Sequence, residues 1–299
     1  MTTQTRPRAK RRSGLGLMLA GALVLAAALA GCGKAASEPA SSGTSASVLD
    51  QVKQRGAIRV GIRSDNPPHS FTDDGGNWVG FDVDIANAVA KNLGVRLEPV
   101  KVDELTRISY LQNGRIDLAI ASISKTKKRA KQVDFSETYF FSKQSFLVRD
   151  GTVKSYADLV GKRVGASRGS SSIGNWTNWL TANGHPGTPD IVQFGDKQAA
   201  VAAVKQGAIS GWAEDYEVLA AYAKKTPGLH VLDDPGGIGV KLDGIAMRKN
   251  QSDLQLAVNT ALQQIASSGQ YDTIYDRWFG PKSATPVPRQ GSIEVWPNG

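Results

Sequence analysis

The sequence is poor in several residue types, and each shortage excludes a class of protein. It contains one cysteine, Cys32, so no disulfide can form within the chain. Its three histidines, His69, His185 and His230, lie far apart and lack the spacing of metal ligands. After the first 31 residues, no apolar run is long enough to cross a bilayer. We therefore expect neither a disulfide-stapled scaffold nor a multi-span membrane protein, and we predict no metal or other cofactor.

The positive charge of the chain is concentrated at its N-terminus. The formal net charge is +9 over 299 residues, but five of the basic residues lie within the first twelve positions, where there is no acid. The remaining 31 basic and 27 acidic side chains leave +4. Because a basic N-terminus is typical of a targeting segment, the charge does not predict nucleic-acid binding. The 40% of hydrophobic residues can build a core in one large domain or two ordinary ones.

An apolar stretch from Leu15 to Gly31 follows the basic run. This order is typical of a secretory signal. Its end, Leu29-Ala30-Gly31-Cys32, resembles the lipobox of bacterial lipoproteins, which implies that residues 1–31 are removed and Cys32 is lipidated. Residues 32–47 are small and polar and predict a flexible tether. We expect a protein anchored by lipid to the outer face of the cell membrane; the alternatives are a plain signal peptide and an uncleaved anchor helix.

Helical and strand-like segments alternate along the rest of the chain. Between Gly80 and Gly94, for example, Ile85, Val89 and Leu93 recur at the spacing of one helix face. This alternation predicts an α/β fold with mostly parallel sheets. The other predicted helices span residues 49–55, 105–113, 170–182, 198–206, 254–266 and 271–279, and the predicted strands span residues 57–62, 95–102, 116–121, 161–166 and 191–194.

The order of these elements repeats within the chain. Gly207 to Asp215 echoes Gly114 to Ser122: a helix ends at glycine, a short strand follows, and polar residues come at the end of that strand. The repeat predicts two similar α/β lobes. Ligands of open α/β sheets bind beyond the C-terminal ends of the strands. Two facing lobes would therefore bring both polar strand ends to a single cleft.

The stretch from Ala119 to Arg129 predicts an anion site. A buried strand ends in hydroxyl residues, and a helix then begins with Arg129 in its first turns. Hydroxyls, the N–H groups at a helix start and a guanidinium suit a small anion such as a carboxylate. The alternative is an ordinary strand-to-helix turn with an exposed basic face. The polar residues that would line a shared cleft are Ser122, Ser124, Ser170, Ser171 and Asp215.

Several motifs resemble those of the bacterial extracellular solute-binding proteins of family 3, the polar amino-acid receptors of ABC importers. Gly80 to Leu93 matches the family signature, and the resemblance runs from about Val48 to Gly280. It implies a type II periplasmic-binding-protein-like fold, with two lobes that close on the ligand by a hinge. The implied division is lobe 1 at 48–140 plus 243–280, lobe 2 at 145–235 and a loose tail at 281–299.

The resemblance also implies roles for single residues. Arg129 would bind the α-carboxylate of an amino acid together with Ser171, and Asp215 would bind its α-ammonium group. The implied protein is a monomeric receptor without catalytic activity, and its partners are the amino acid, an ABC permease and the ATPase of that permease. The other polar positions that match ligand contacts of the family are Ser122, Ser124 and Ser170.

Two further arginines predict an acidic ligand. Arg63 ends the first strand, where receptors for cationic amino acids carry an acid, and Arg107 matches an arginine of receptors for acidic amino acids. Two guanidinium groups in one pocket favour a second ligand carboxylate. Glutamate or aspartate is therefore the first prediction, followed by glutamine or asparagine. Asn66 and Glu104 replace aromatic residues that many members use, and Glu104 could pair with either arginine.

Three alternatives use the same residues differently. Residues 165–169 fit the G-x-S-x-G pattern of a nucleophile elbow, which with His230 would give an esterase built on Ser167. A dehydratase on the same fold would need an acid in the cleft, such as Glu104 or Glu214. A sensor would bind the ligand without transport. The predicted lipid anchor favours a receptor, because an importer must capture its ligand near a membrane permease.

Overall fold

The computed structural model of the protein describes residues 46–293. The predicted signal segment, Cys32 and most of the predicted tether lie outside these residues. The strands are β1 (Ala57–Ile62), β2 (Asp65–Asn66), β3 (Ser70–Thr72), β4 (Trp78–Val79), β5 (Arg96–Lys101), β6 (Leu118–Ala119), β7 (Asp134–Arg149), β8 (Val164–Ser167), β9 (Ile191–Phe194), β10 (Trp212–Asp215), β11 (Leu229–Val231) and β12 (Gly239–Met247).

Helices cover the sheet, and none of those described is long and apolar enough to cross a membrane. The helices are α1 (Val48–Arg55), α2 (Phe81–Asn92), α3 (Thr106–Gln112), α4 (Lys127–Ala130), α5 (Ser172–Ala182), α6 (Lys197–Gln206), α7 (Tyr216–Lys225), α8 (Ser252–Ser267) and α9 (Gln270–Phe279), with a 3-10 helix at Tyr156–Leu159.

A nine-stranded mixed sheet runs through the described part of the chain in the order β5-β1-β6-β12-β7-β10-β8-β9, and β11 pairs with β7. The pairs of β1 with β5 and β6, and of β8 with β9 and β10, are parallel. The two long central strands, β7 and β12, are antiparallel to each other. The predicted α/β class is therefore confirmed, with parallel strands on both sides of an antiparallel centre.

Buried apolar side chains form two groups of clusters. One group draws on residues 48–140 and 245–293, and the other draws on residues 146–238. The boundaries fall within β7 and β12, close to the predicted crossings. We use the names lobe 1 and lobe 2 for these two groups of elements. Their movement as separate bodies stays a prediction.

Local capping explains why several helices begin and end where they do. Ser47 accepts a hydrogen bond from the N–H of Asp50 at the start of α1, and Gly56 ends that helix with a φ of 65°. Asp196 caps α6 in the same way, and Gly207 ends it with a φ of 75°. Glycine adopts this left-handed conformation at little cost, so it stops a helix at a defined residue.

The strand predicted over residues 116–121 is shorter than expected. Only Leu118 and Ala119 form β6, although the N–H of Ile120 still donates to the carbonyl of Gly61 at 3.1 Å. The chain then turns at Ser122, whose φ is +51°. This left-handed residue ends the extended conformation, because a strand requires a negative φ.

Single residues of the segment 281–293 pack against lobe 1, although most of its side chains are exposed. The loose tail predicted over 281–299 stays a prediction. Arg289 pairs with Asp272 at 2.8 Å. The side chain of Ile293 is 3% exposed and belongs to the core of lobe 1. The prolines of this segment oppose helix and strand, but they do not prevent an irregular chain from burying apolar side chains.

We expect Ile293→Ala to lower the free energy of unfolding by about 2–4 kcal/mol, because it removes buried methyl groups and leaves a cavity. Leu256→Ala is the matched control, since Leu256 is 61% exposed and its change should stay near zero. Denaturant unfolding followed by circular dichroism measures both. Equal effects of the two substitutions would contradict the packing of this segment.

Candidate functional site

The turn after β6 is fixed by a buried arginine. Arg107 extends from α3 and donates through Nη1 to the carbonyl oxygens of Ala121 (2.7 Å) and Ser122 (3.1 Å). Burial and the nearby charge of Arg129 together lower the pKa of Arg107 to about 10. A guanidinium that binds backbone carbonyls stabilises the strained φ of Ser122. Arg107 therefore fixes the backbone conformation of the site at Ser122.

Arg129 links the two lobes. Thr126 caps α4 by accepting a hydrogen bond from the N–H of Arg129 at 3.2 Å. The guanidinium then donates to the carbonyl of Ser124 (2.9 Å) in lobe 1 and to that of Gly169 (3.0 Å) in lobe 2. Burial lowers the pKa of Arg129, while the carboxylates of Asp243, Glu104 and Asp215 oppose this. These two bonds use two of five N–H donors, so the group can still bind an anion.

Lobe 2 contributes residues from the start of α5 and the end of β10. The hydroxyls of Ser124 and Ser171 lie 3.3 Å apart. Asp215 accepts hydrogen bonds from Gln144 Nε2 at Oδ1 (2.8 Å) and from Ser122 Oγ at Oδ2 (3.3 Å). The predicted meeting of two polar strand ends is therefore present in the structure, with Gln144 of β7 between them.

A cavity of about 10 Å³ lies among these residues. This is near the minimum that one water molecule needs, so a larger ligand enters only when the lobes separate. A wider cavity of about 890 Å³ adjoins it and shares Glu104, Arg129, Ser170 and Ser171. Seven of the eight predicted binding residues line the small cavity, and Arg63 does not; the lining residues are Glu104, Arg107, Ser122, Ser124, Arg129, Gln144, Ser170, Ser171, Glu214 and Asp215.

Arg63 is occupied by carboxylates of the protein itself. It pairs with Glu104 at 2.6 Å and with Asp65 at 3.1 Å. Burial alone would raise the pKa of Glu104, but the charges of Arg63, Lys197 and Arg107 lower it to about 2. Arg63 is neutralised by Glu104, so it offers no free guanidinium to a ligand. Arg107 lines the cavity and keeps N–H donors that its two carbonyl bonds do not use, so the acidic preference stays a prediction that depends on Arg107.

Ser167 has a different partner from the one an esterase needs. Its hydroxyl donates to Glu214, whose carboxylate also pairs with Lys197 at 2.6 Å. His230 lies at an exposed position and bonds to Asp150 at 2.7 Å. A serine–histidine triad needs the histidine within hydrogen-bond reach of the serine. The esterase alternative built on Ser167 and His230 is therefore wrong.

A buried charge cluster adjoins the cavity at β12. Lys241 contacts the carboxylates of Asp215 (2.7 Å), Asp243 (2.8 Å) and Glu217 (3.2 Å). His69 of lobe 1 bonds through Nε2 to Glu217 of lobe 2 at 2.7 Å. Among residues 46–293 no group of side chains is suited to hold a metal ion. The cluster is thus a set of ion pairs between protein groups.

The sequence interpretation missed Gln144, Lys241 and Asp243. A signal for two of them was present, because Lys241 and Asp243 are two positions apart on one strand and therefore lie on the same face. A lysine and an aspartate at this spacing within a strand that ends in Ile245-Ala246-Met247 indicate a charged patch at the edge of a core. Gln144 carried no comparable signal.

The charge of His69 depends on its buried partners. Burial and the charge of Lys241 lower its pKa, but the carboxylates of Asp82 and Glu217 outweigh them and raise it to about 9. The Nδ1 atom lies 3.6 Å from Asp82, an ion-pair distance beyond a hydrogen bond. Because the unfolded histidine has a pKa near 6.5, the native protein holds a proton that the unfolded chain has released.

We predict that the free energy of unfolding falls by up to about 3 kcal/mol as the pH rises from about 6.5 to about 9. The stabilisation is complete below pH 6.5 and is lost as the pH passes through the raised pKa of His69. Denaturant unfolding at several pH values measures this slope. It should flatten in His69→Gln and persist in the exposed control His230→Gln. A slope that survives in His69→Gln would show that another group causes it.

Comparisons with known proteins agree with this architecture. The model of the bacterial extracellular solute-binding proteins, family 3, matches residues 58–281. The L-cystine-binding protein TcyJ of Escherichia coli (strain K12) is 32% identical over 78% of this chain and 86% of its own. The glutamine-binding protein GlnH of Bacillus subtilis (strain 168) is 31% identical over 84% of this chain and 92% of its own.

Solved structures share the fold as well. An ancestral arginine-binding protein bound to glutamine superposes with a TM-score of 0.68 at 37% identity, covering 76% of this chain and 99% of its own. The described sheet and its flanking helices therefore form the same fold as these solved structures. On the match over residues 58–281, the chain is a member of the bacterial extracellular solute-binding proteins, family 3.

Proposed function

We propose that the protein is the substrate-binding component of an ABC importer and captures a polar L-α-amino acid. The observation that carries this proposal is the position of Arg129 and Asp215. They come from opposite lobes, carry opposite charges and line the same cavity. An amino-acid zwitterion presents one carboxylate and one ammonium group, which match them. Relatives named for cystine and glutamine binding support the same class of ligand.

The two lobes give this site a mechanism. With the lobes apart, the ligand carboxylate binds Arg129 and the hydroxyls of Ser124 or Ser171. Closure then brings Asp215 to the ammonium group. Because only the closed form makes both sets of contacts, the ligand shifts the equilibrium toward closure. β7 and β12 are the connections about which this movement occurs, since both run from one lobe to the other.

The ligand side chain would extend toward Glu104 and Glu214, which line the cavity beyond the head-group residues. Both carboxylates are already paired, one with Arg63 and the other with Lys197. These two cations and two anions sum to zero, so they attract neither charge strongly. We therefore propose a side chain that is polar and neutral overall, such as the amide of glutamine or the second amino-acid group of cystine. The preference for glutamate or aspartate stays a prediction, but of its two arginines Arg63 is already paired with Glu104.

The cellular arrangement is also part of the proposal. Lipidation of Cys32 would hold the protein at the outer face of the membrane, within reach of its permease and the ATPase. A single acyl chain anchors only marginally, whereas the two or three chains of a lipoprotein anchor firmly. The receptor would act as a monomer, because its site is complete within one chain.

A dehydratase on the same fold is a less suitable function for these residues. The pKa of Glu104, about 2, keeps this side chain ionised, so it cannot donate a proton at neutral pH. Burial raises the pKa of Glu214 although Lys197 opposes this, so its pKa alone does not argue against an acid role. Its carboxylate is nevertheless engaged by Lys197 and by the hydroxyl of Ser167, which makes it less available to a substrate.

We predict that Arg129→Ala lowers the affinity for the preferred amino acid by about 100-fold, because it removes the cation of the carboxylate site. Arg163→Ala is the control, since Arg163 is 61% exposed and pairs only with Asp190. Isothermal titration calorimetry measures both variants. Unchanged affinity in Arg129→Ala would overturn the site, and a wild-type protein that binds no amino acid would overturn the function.

A titration with single amino acids tests the proposed side chain. We expect glutamine or cystine to bind at least tenfold more tightly than glutamate. The ion pairs of Glu104 and Glu214 carry no net charge, so they do not stabilise a charged side chain. If glutamate or aspartate binds most tightly, the acidic preference is restored. If arginine does, Glu104 and Glu214 act as free carboxylates and the proposed neutrality is wrong.

A further inference from the structure

Lys241 occupies an unusual position for a lysine. It lies on β12 with 1% of its side chain exposed. Its Nζ lies 2.7 Å from Asp215 Oδ2, 2.8 Å from Asp243 Oδ2 and 2.8 Å from Ser122 Oγ. Glu217 Oε1 lies 3.2 Å from Nζ as well, so the three N–H donors of the ammonium group are shared among four acceptors and none is left for a ligand. Lys241 is therefore a counter-ion between a carboxylate of lobe 2 and one of lobe 1.

The two carboxylates keep some capacity to accept hydrogen bonds. Asp215 Oδ2 already receives Lys241 and Ser122, and Oδ1 receives Gln144. A carboxylate has about four lone-pair sites, so Oδ1 can accept one more donor. Asp243 Oδ1 is buried, and no residue of the described chain donates to it. A second cation would therefore find acceptors that Lys241 has not used.

The charges at this position also leave room for one cation. Asp215, Asp243 and Lys241 sum to −1. Glu217 is balanced by His69 at 2.7 Å. Among the groups that face the cluster from neighbouring elements, Glu104 and Glu214 are balanced by Arg63 and Lys197. Asp82 adds one negative charge, and Arg107 and Arg129, which bind neutral carbonyls, add two positive charges. When a ligand carboxylate pairs with Arg129, the remaining charges again sum to −1.

We propose that Lys241 is a positioning residue of the ammonium subsite: it holds Asp215 in place and gives the unit Asp215–Lys241–Asp243 a net charge of −1, which matches one ligand ammonium group. This inference rests on the proposed amino-acid binding and adds a residue to it. Lys241 does not contact the ligand carboxylate or side chain in this arrangement. It sets the charge that the ammonium group meets.

Removing the lysine charge changes how the subsite responds to pH. In Lys241→Met, Asp215 and Asp243 stand on opposite sides of the Ser122 hydroxyl, which lies 3.3 Å from one and 3.5 Å from the other. Without the lysine charge, burial and mutual repulsion raise the pKa of this carboxylate pair, so we expect one of the two to bind a proton at neutral pH. The ligand ammonium must then displace that proton, so affinity rises with pH by up to about tenfold per unit. In the wild type, the surrounding carboxylates raise the pKa of Lys241 against the effect of burial, and the lysine stays charged.

A series of variants that differ in the charge of this unit tests the proposal. Calorimetry is done between pH 7.0 and 8.5, because the pKa of Asp243, about 6, lies below this range. We expect flat affinity for the wild type and, for Lys241→Met, at least tenfold weaker binding at pH 7.0 that recovers as the pH rises. Asp243→Asn leaves a net charge of zero and should bind weakly at every pH. The double variant Lys241→Met/Asp243→Asn restores −1 and should regain a flat profile within a few fold of wild type. Lys143→Met is the control, because Lys143 pairs with the exposed Asp233.

The corresponding α-hydroxy acid separates this role from a structural one. It lacks the ammonium group, so its affinity should be insensitive to pH in all variants. If Lys241→Met weakens the amino acid and the hydroxy acid equally with a flat profile, the lysine is only structural and the inference fails. If Lys241→Met does not fold, equal binding by Asp243→Asn and the double variant overturns the inference. Wild-type protein that binds no amino acid overturns the proposed function as well.

Discussion

The pairing of β7 with β12 is the constraint on which the site depends. The two strands stay in contact from Asp134 opposite Met247 to Gln144 opposite Gly239, so they pass together from one lobe to the other. Every distance between the lobes is set by how this ribbon bends and twists. The register of this pairing shifts beside Asp243. Because the hydrogen-bond ladder is irregular there, bending the ribbon costs the least free energy at this point. Gln144, which lines the cavity, and Asp243, beside which the register shifts, both lie on this ribbon.

Most buried charges of the site are compensated by a partner of opposite charge. Buried ions are tolerated when each has a partner and enough hydrogen bonds. Arg63 with Glu104, Lys197 with Glu214 and His69 with Glu217 satisfy this rule. Arg107 and Arg129 differ, because their described partners are neutral carbonyls. Of these two guanidinium groups, Arg129 also lines the wider cavity, so it is the better placed to receive a carboxylate from a ligand.

How much of this could be predicted depends on the range of the interaction. The polar ends of β6 and β10 and the start of α4 are local patterns, so Ser122, Arg129 and Asp215 could be chosen from the sequence. The pairing of Arg63 with Glu104 joins residues 41 positions apart and depends on how β1 and α3 pack. A sequence shows that both charges exist, but only the packing shows that they cancel. The same holds for Ile293, whose burial depends on a core that is formed mainly by residues far from it in the chain.

Both ends of the described chain belong to lobe 1, because Val48 and Ile293 pack in the same core. Lobe 2 is thus an insertion, held by two strands and by contacts across the cleft. A label or fusion at either end of the chain reports on lobe 1 alone. A distance sensor for closure must place one probe on an exposed position of lobe 2, such as Arg163 on the loop before β8. For the same reason, a membrane tether at the N-terminus would hold lobe 1, and lobe 2 would be the part that moves in the proposed closure.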